Sequence, residues 1–376
     1  YYLFFLQGKY FEKKNEFDDA LKAYKISINL KKNFIQPYIS ILDLLEKKNK
    51  IKELKIFVEY AFKYFPDEPR IKFYEILYLS RANLFKKSIE KIYHYNLINI
   101  LKFEDFYIRL LDILSKNYEE IQDYNNAFEN ISKRNRFILN LPSTAKFNEK
   151  KIFETIKVYK NFFSLFYSKK ILKTPKHKKL VFLVGFPRSG TTLLDTILRS
   201  HSKTLVLEEK PYLLDIRHEY LKKNNNNLES INNLDFNKIK ELQKKYFDKV
   251  KKNDDEKIVI DKFPLSIIEI GFIKSIFPDS KIILTVRHPC DVILSCFFAY
   301  FKINEAMKIF LDLDKSINLY NEVFSLFENY EKTLNLDFHL IKYENLVNNF
   351  KTTLIDLLKY LDLDYEVNIE KFYETA

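Results

Sequence analysis

Four glycines, two cysteines and a single methionine stand among 376 residues. Two cysteines, Cys290 and Cys296, are too few to staple a chain of this length, so a disulfide-framed secreted scaffold is excluded. Their setting, HPCDVILSCFF, predicts a buried helix face. No apolar run approaches the roughly 20 residues that span a bilayer, and the opening YYLFFL is too short for the apolar core of a signal peptide. No membrane span and a cytoplasmic location are the expectations that follow. The only methionine is Met307, so the chain begins without an initiator and is expected to be a fragment or a processed product.

What is abundant is apolar and basic. Hydrophobic residues make up 47% and aromatics 16%, enough apolar area for a folded core rather than a disordered chain. The formal charge is +12. Residues 1–150 hold 27 basic and 20 acidic side chains and the remainder 36 and 31, so the excess is spread evenly. A diffuse excess is not the focused patch of a nucleic-acid binder, and no nucleic-acid partner is expected. It does favour anionic ligands.

Written in rows of 34, the first third repeats itself. A basic residue two before an asparagine recurs at Lys13/Asn15, Lys47/Asn49 and Arg81/Asn83, with a fainter copy at Lys116 and Asn117. Helical apolar patterns lie between, so each unit predicts a helix, a turn at the asparagine and a second helix. The period, together with Gly8, Ala20, Tyr24 and the FPDEP break, resembles the tetratricopeptide repeat. Such a stack presents a groove, which implies docking of an acceptor or partner protein; a structural extension or a homodimer surface remains the alternative. Residues 1–120 are assigned to the array and 121–178 to a helical bridge.

From 179 the pattern changes. The runs KLVFLVGF, TLVLEE, KIVIDKF, KIILTVRH and FHLIKYEN alternate with helical stretches, which predicts a central parallel sheet covered by helices in an α/β domain over 179–376. The segment 222–235, KKNNNNLESINNLD, reads as a solvated insert. Ligands of such sheets bind beyond the carboxyl ends of the strands.

The chemistry concentrates there. In GFPRSGTT, Gly185 and Gly190 have P-loop spacing, but Thr191 stands where a nucleotide triphosphatase carries lysine. The loop supplies backbone donors through Ser189 and Gly190, hydroxyls from Thr191 and Thr192, and the cation of Arg188. A second anion site is suggested by Arg287 at a strand end with Ser295 eight residues on. These residues resemble the P-loop-like domain of sulfotransferases that use 3′-phosphoadenosine 5′-phosphosulfate (PAPS). The resemblance implies a 5′-phosphosulfate on Arg188, Ser189, Gly190, Thr191 and Thr192, a 3′-phosphate on Arg287 and Ser295, and Tyr343 of YENL near the nucleotide. The nearest likeness is to tyrosylprotein sulfotransferases and bacterial tetratricopeptide-repeat sulfotransferases, because the second glutamate of a pair stands 21 residues beyond the loop arginine, at Glu209. That implies Glu209 as general base, with Glu208 as runner-up, and Lys262 and Arg188 as stabilisers of transferred charge. Lys262 paired with its neighbour Asp261 is the plainer alternative, as Tyr343 in the core is for the nucleotide contact. His201 falls too far along the helix after the loop to reach the anion site.

The implied activity is transfer of a sulfuryl group from PAPS to an acceptor hydroxyl on a peptide, protein, glycan or small alcohol, with no metal required. Two alternatives are a repeat-based scaffold carrying an inactive nucleotide domain, and a P-loop kinase, which the missing lysine opposes. The family's further basic contact to the nucleotide falls on Ala299, and its terminal segment on residues beyond KFYETA, so the carboxyl end is expected to be incomplete.

Overall fold

The structure is a computed structural model that describes residues 1–102, 105–167, 179–250 and 257–374. The chain divides into two compact units, Tyr1–Pro142 and Ser143–Ala376. The stretch 121–178 is shared between them, and its residues 168–178 lie outside the described ones.

The first unit is a helical array: α1 (Tyr2–Lys13), α2 (Phe17–Leu30), α3 (Gln36–Lys47), α4 (Ile51–Phe62), α5 (Pro69–Arg81), α6 (Phe85–His94), the single turn α7 (Leu97–Ile100), α8 (Asp105–Glu120) and α9 (Tyr124–Leu139). The corners are chemically alike. Asn15, Asn49 and Asn83 have φ of 61°, 53° and 59°. In each, the following N–H reaches back to a carbonyl five residues earlier, as Lys50 N does to Leu45 O at 2.9 Å. This is the Schellman termination, which needs a left-handed residue that asparagine adopts more readily than most.

The fourth corner is not at Asn117. That residue lies buried within α8, accepting from Ser80 Oγ at 2.6 Å and donating to Ser88 Oγ at 2.9 Å. Helix α8 runs past it, and the same termination falls at Gln122, with φ 63° and Asp123 N bonded to Tyr118 O at 2.8 Å. Within the first hairpin, Gly8 lets the Tyr24 ring pack close against α1: a Cβ there would lie 2.4 Å from that ring.

The second unit is built on a five-stranded, wholly parallel sheet. Its strands are β1 (Leu180–Gly185), β2 (Thr204–Glu208), β3 (Ile258–Lys262), β4 (Lys281–Val286) and β5 (Phe338–Lys342), in the order β2-β3-β1-β4-β5. Each is one of the five apolar runs. Alternation along β1 sends Leu180, Phe182 and Val184 into one core and Val181 and Leu183 into another, so both faces are covered. Helix Lys150–Asn161 belongs to the first of these cores through Ile156 and Tyr159.

The segment 222–235 is less solvated than its asparagines suggest. Leu228, Ile231 and Leu234 are buried in the same core, because a short 3₁₀ turn brings apolar residues three apart to one side. Cys296 is buried and Cys290 exposed. Six residues turn a helix by about 240° net, so the two thiols cannot share a face.

From β1 the chain crosses to β2 on one side of the sheet, whereas β4 leads to β5 on the other. The loops after β1 and β4 therefore diverge at a switch point, where such sheets open a crevice.

Candidate functional site

The loop after β1 is held from three directions. Ser189 Oγ and Thr285 Oγ1 of β4 are 2.9 Å apart and buried, and Cys296 Sγ donates to Pro187 O at 3.4 Å. Burial pushes the Cys296 thiol up to about 12, so it stays protonated and acts as an anchor rather than a nucleophile. Gly190 has φ 98°, and a Cβ there would meet the Tyr343 ring at 2.7 Å. The glycine is thus required both by conformation and by the aromatic lid over it. Helix Thr191–Arg199 starts at once, leaving its first N–H groups directed at the crevice.

Arg188 is exposed, with φ 70°, and its Nε donates to Ser295 Oγ at 3.0 Å. Ser295 therefore serves the loop arginine in this structure. Arg287, at the end of β4, lays its guanidinium over the Tyr343 ring at 4.6 Å and bonds Asp291 at 3.3 Å. Its Nε is buried without a hydrogen-bond partner in the protein. Tyr343 is thereby packed between Gly190 and Arg287, which fixes the distance between the two cationic loops. Beside it, Glu344 accepts from His288 N at 2.9 Å, and that bond holds its carboxylate below the usual range.

The carboxylate pair follows β2. Glu208 ends β2 in register with Lys262 of β3. Glu209 continues the strand by donating its N–H to Lys262 O at 2.8 Å, but at φ 47°. Apart from Gln122, Arg188 and Glu209, every described non-glycine residue with positive φ is Asn or Asp. Two of the three exceptions are candidate site residues, and strain of this kind gathers at functional positions.

Lys262 is fully buried. Its Nζ donates to Glu209 Oε1 at 2.9 Å, with Asp195 Oδ2 at 3.5 Å and Glu208 Oε1 at 3.6 Å. Asp261 faces away: its carboxylate accepts from Tyr246 at 2.6 Å, as alternation along a strand demands. Burial raises the Asp261 carboxyl to about 7 despite that bond. His201 is also occupied elsewhere. Lys203 N donates to its Nδ1 at 3.0 Å, and its Nε2 lies 3.0 Å from Asp364 O, so both ring nitrogens are engaged away from the cleft.

Arg188, Thr191, Thr192, Glu209, Arg287 and Tyr343 line one cleft of about 260 Å³. Lys262 lies beneath it behind Glu209. Pro264 and Phe301 form its apolar wall and were not foreseen; nothing in a proline after β3 or a loop phenylalanine separates them from core residues by sequence. Asp195 was also missed. Its spacing to Arg199, four residues on, reads as an ordinary exposed helical pair. In the structure Arg199 is partly exposed but Asp195 is buried, and they bond at 2.6 Å.

The arrangement offers an anion cradle, two arginines and a carboxylate–ammonium pair in one crevice. Residues 181–367 match the model of the Sulfotransferase family. An uncharacterized protein of Aquifex aeolicus (strain VF5) is 27% identical over 278 residues, 70% of this chain; the chain spans only 36% of that protein. Two solved structures are similar over part of the chain. The sulfotransferase domain of the Synechococcus PCC 7002 olefin synthase is 23% identical, covering 54% of this chain and 81% of its own, with a TM-score of 0.33. A sulfotransferase from Mycobacterium tuberculosis H37Rv is 13% identical, covering 71% and 85%, with a TM-score of 0.36.

Proposed function

We propose that this protein, whose residues 181–367 form a sulfotransferase family domain, transfers a sulfuryl group from PAPS to an acceptor hydroxyl. The family typically uses that donor. The observation that carries the reading is the cleft that Arg188, Arg287 and Glu209 line together. PAPS differs from ATP in its 3′-phosphate, and the guanidinium of Arg287, which lines the cleft, is a donor of the kind that group requires. The loop's helix N-terminus and hydroxyls suit a phosphosulfate without the triphosphatase lysine.

When bound, PAPS supplies the sulfuryl group and a 5′-phosphate leaving group. The acceptor oxygen forms the new bond to sulfur, the bridging S–O bond breaks, and its electron pair departs with the phosphate. Glu209 takes the proton of the acceptor hydroxyl. Arg188 and Lys262 counter the negative charge that accumulates in transfer. The acceptor is a tyrosine or other hydroxyl on a peptide, protein or glycan, and the tetratricopeptide-like array is the surface that recruits it. The likeness to the tyrosylprotein type rests on the position of Glu209.

Calorimetric titration tests the donor. Adenosine 3′,5′-bisphosphate should bind much more tightly than AMP, without Mg²⁺, and Arg287→Ala should remove about 1.5 to 3 kcal/mol of that preference, the worth of a charge-assisted bond. Equal affinity for the two nucleotides, or a requirement for Mg²⁺, overturns the reading in favour of a kinase or an inactive scaffold.

A further inference from the structure

Three carboxylates surround the Lys262 ammonium, yet they differ in what they are free to do. Glu209 and Glu208 are half-exposed, whereas Asp195 is buried as completely as Lys262 itself. The Asp195 Oδ1 is taken by Arg199 at 2.6 Å, which leaves Oδ2 for Lys262 at 3.5 Å. Asp195 sits one helical turn after Thr191, on the helix that the anion loop opens, so the same rigid element carries the cradle and this carboxylate. Arg199, a further turn on, spans from Asp195 to Glu208 at 3.2 Å.

The proposed reaction requires Glu209 to leave Lys262. A carboxylate held at 2.9 Å on an ammonium cannot also accept a proton from an acceptor at full strength, and at the moment it turns away a buried cation would lose its nearest partner. We infer that Asp195 is the resident counter-ion of Lys262: it holds the ammonium in place while Glu209 exchanges between Lys262 and the acceptor hydroxyl. Arg199 fixes Asp195 so that it cannot follow Glu209 into the cleft. Asp195 does not line the cleft, so it is a positioning residue acting through Lys262. The inference rests on the sulfuryl-transfer reading for its purpose but not for its geometry.

The test uses the full chain. Urea unfolding is measured for wild type, Asp195→Asn, Glu209→Gln and the double variant. Each single change leaves Lys262 one close carboxylate besides Glu208; the double change leaves only Glu208. The double variant's unfolding constant should therefore exceed the product of the single effects by about tenfold, a coupling in the usual range for shared partners. Additivity overturns the inference. Should Asp195→Asn fail to accumulate as folded protein, adding Lys262→Met is expected to restore folding, because it removes the uncompensated buried charge. No restoration is the contrary result.

In turnover, Asp195→Asn should lower kcat at least tenfold with the dissociation constant of adenosine 3′,5′-bisphosphate within threefold of wild type, and Asp195→Glu should recover part of the rate. Equal losses in kcat and nucleotide affinity would mean that Asp195 merely supports the loop helix. If wild type transfers sulfuryl to no acceptor while the coupling is present, the sulfuryl-transfer reading fails and the counter-ion assignment stands.

Discussion

Arg188 and Glu209 both hold left-handed backbone conformations that cost a long side chain on the order of 1 to 2 kcal/mol, and both face the same cleft. For Glu209 the conformation turns the side chain off the strand and onto Lys262, where straight continuation would have followed the β2 pleat. Glu209→Gln keeps the size but removes proton acceptance. Turnover should fall by about 10² to 10⁴ with nucleotide affinity nearly unchanged, read by steady-state rates beside calorimetry. Glu208→Gln should cost less. Near-normal turnover in Glu209→Gln would remove the likeness to the tyrosylprotein type at its central residue. Asp261, one residue from Lys262 but on the opposite face, makes a separate prediction. Its folded pKa of about 7 lies above the unfolded carboxylate value of 3.8, so the folded state binds the proton more tightly. Stability of the α/β unit should then decline as pH rises from about 4 to 7, by on the order of 2 to 4 kcal/mol from this group. Asp261→Asn should flatten that decline and leave the variant more stable than wild type at pH 8. Urea midpoints at pH 5 and pH 8 decide it; parallel shifts in both proteins refute the assignment.

At the level of elements, the helical hairpins were legible because each corner repeats one physical solution. A helix must satisfy its last carbonyls, the Schellman bond does so with one left-handed residue, and asparagine supplies it at 15, 49 and 83. The fourth corner escaped because periodicity pointed to an asparagine whose amide is instead used in the core, between Ser80 and Ser88. A longer α8 moves the turn to Gln122, a residue poorly suited to positive φ. Gln122→Gly should raise the stability of the array by about 0.5 to 1 kcal/mol, against the usual cost of glycine elsewhere in a helix. The shift would appear in the chemical denaturation of the first unit; destabilisation would show that the Gln122 side chain makes up for its backbone. The strands were legible for a different reason. A parallel sheet buried on both faces demands short continuous apolar runs, and five such runs became its five strands.

For the whole molecule, the chain divides between residues 142 and 143 into two compact units, and each carries its own buried core. Residues 143–376 are expected to fold alone and to bind adenosine 3′,5′-bisphosphate within about threefold of the full chain, since every candidate nucleotide contact lies in that unit. KM for the true acceptor should rise on losing the array if the array recruits it. Unchanged acceptor kinetics would assign the array to structure or self-association. The sequence by itself determined the five strands, the first three helical corners, the glycine loop after β1 and which cationic and acidic residues stand at strand ends, because these depend on periodicity, local termination and spacing along one element. Only the tertiary structure decided the partners. It gave Ser295 to Arg188, placed Tyr343 between Gly190 and Arg287, turned Asp261 away from Lys262 and buried Asp195 beneath the carboxylate pair. Those outcomes depend on distances between elements remote in sequence and on which charge loses its water, and neither is written in the spacing of residues along a chain.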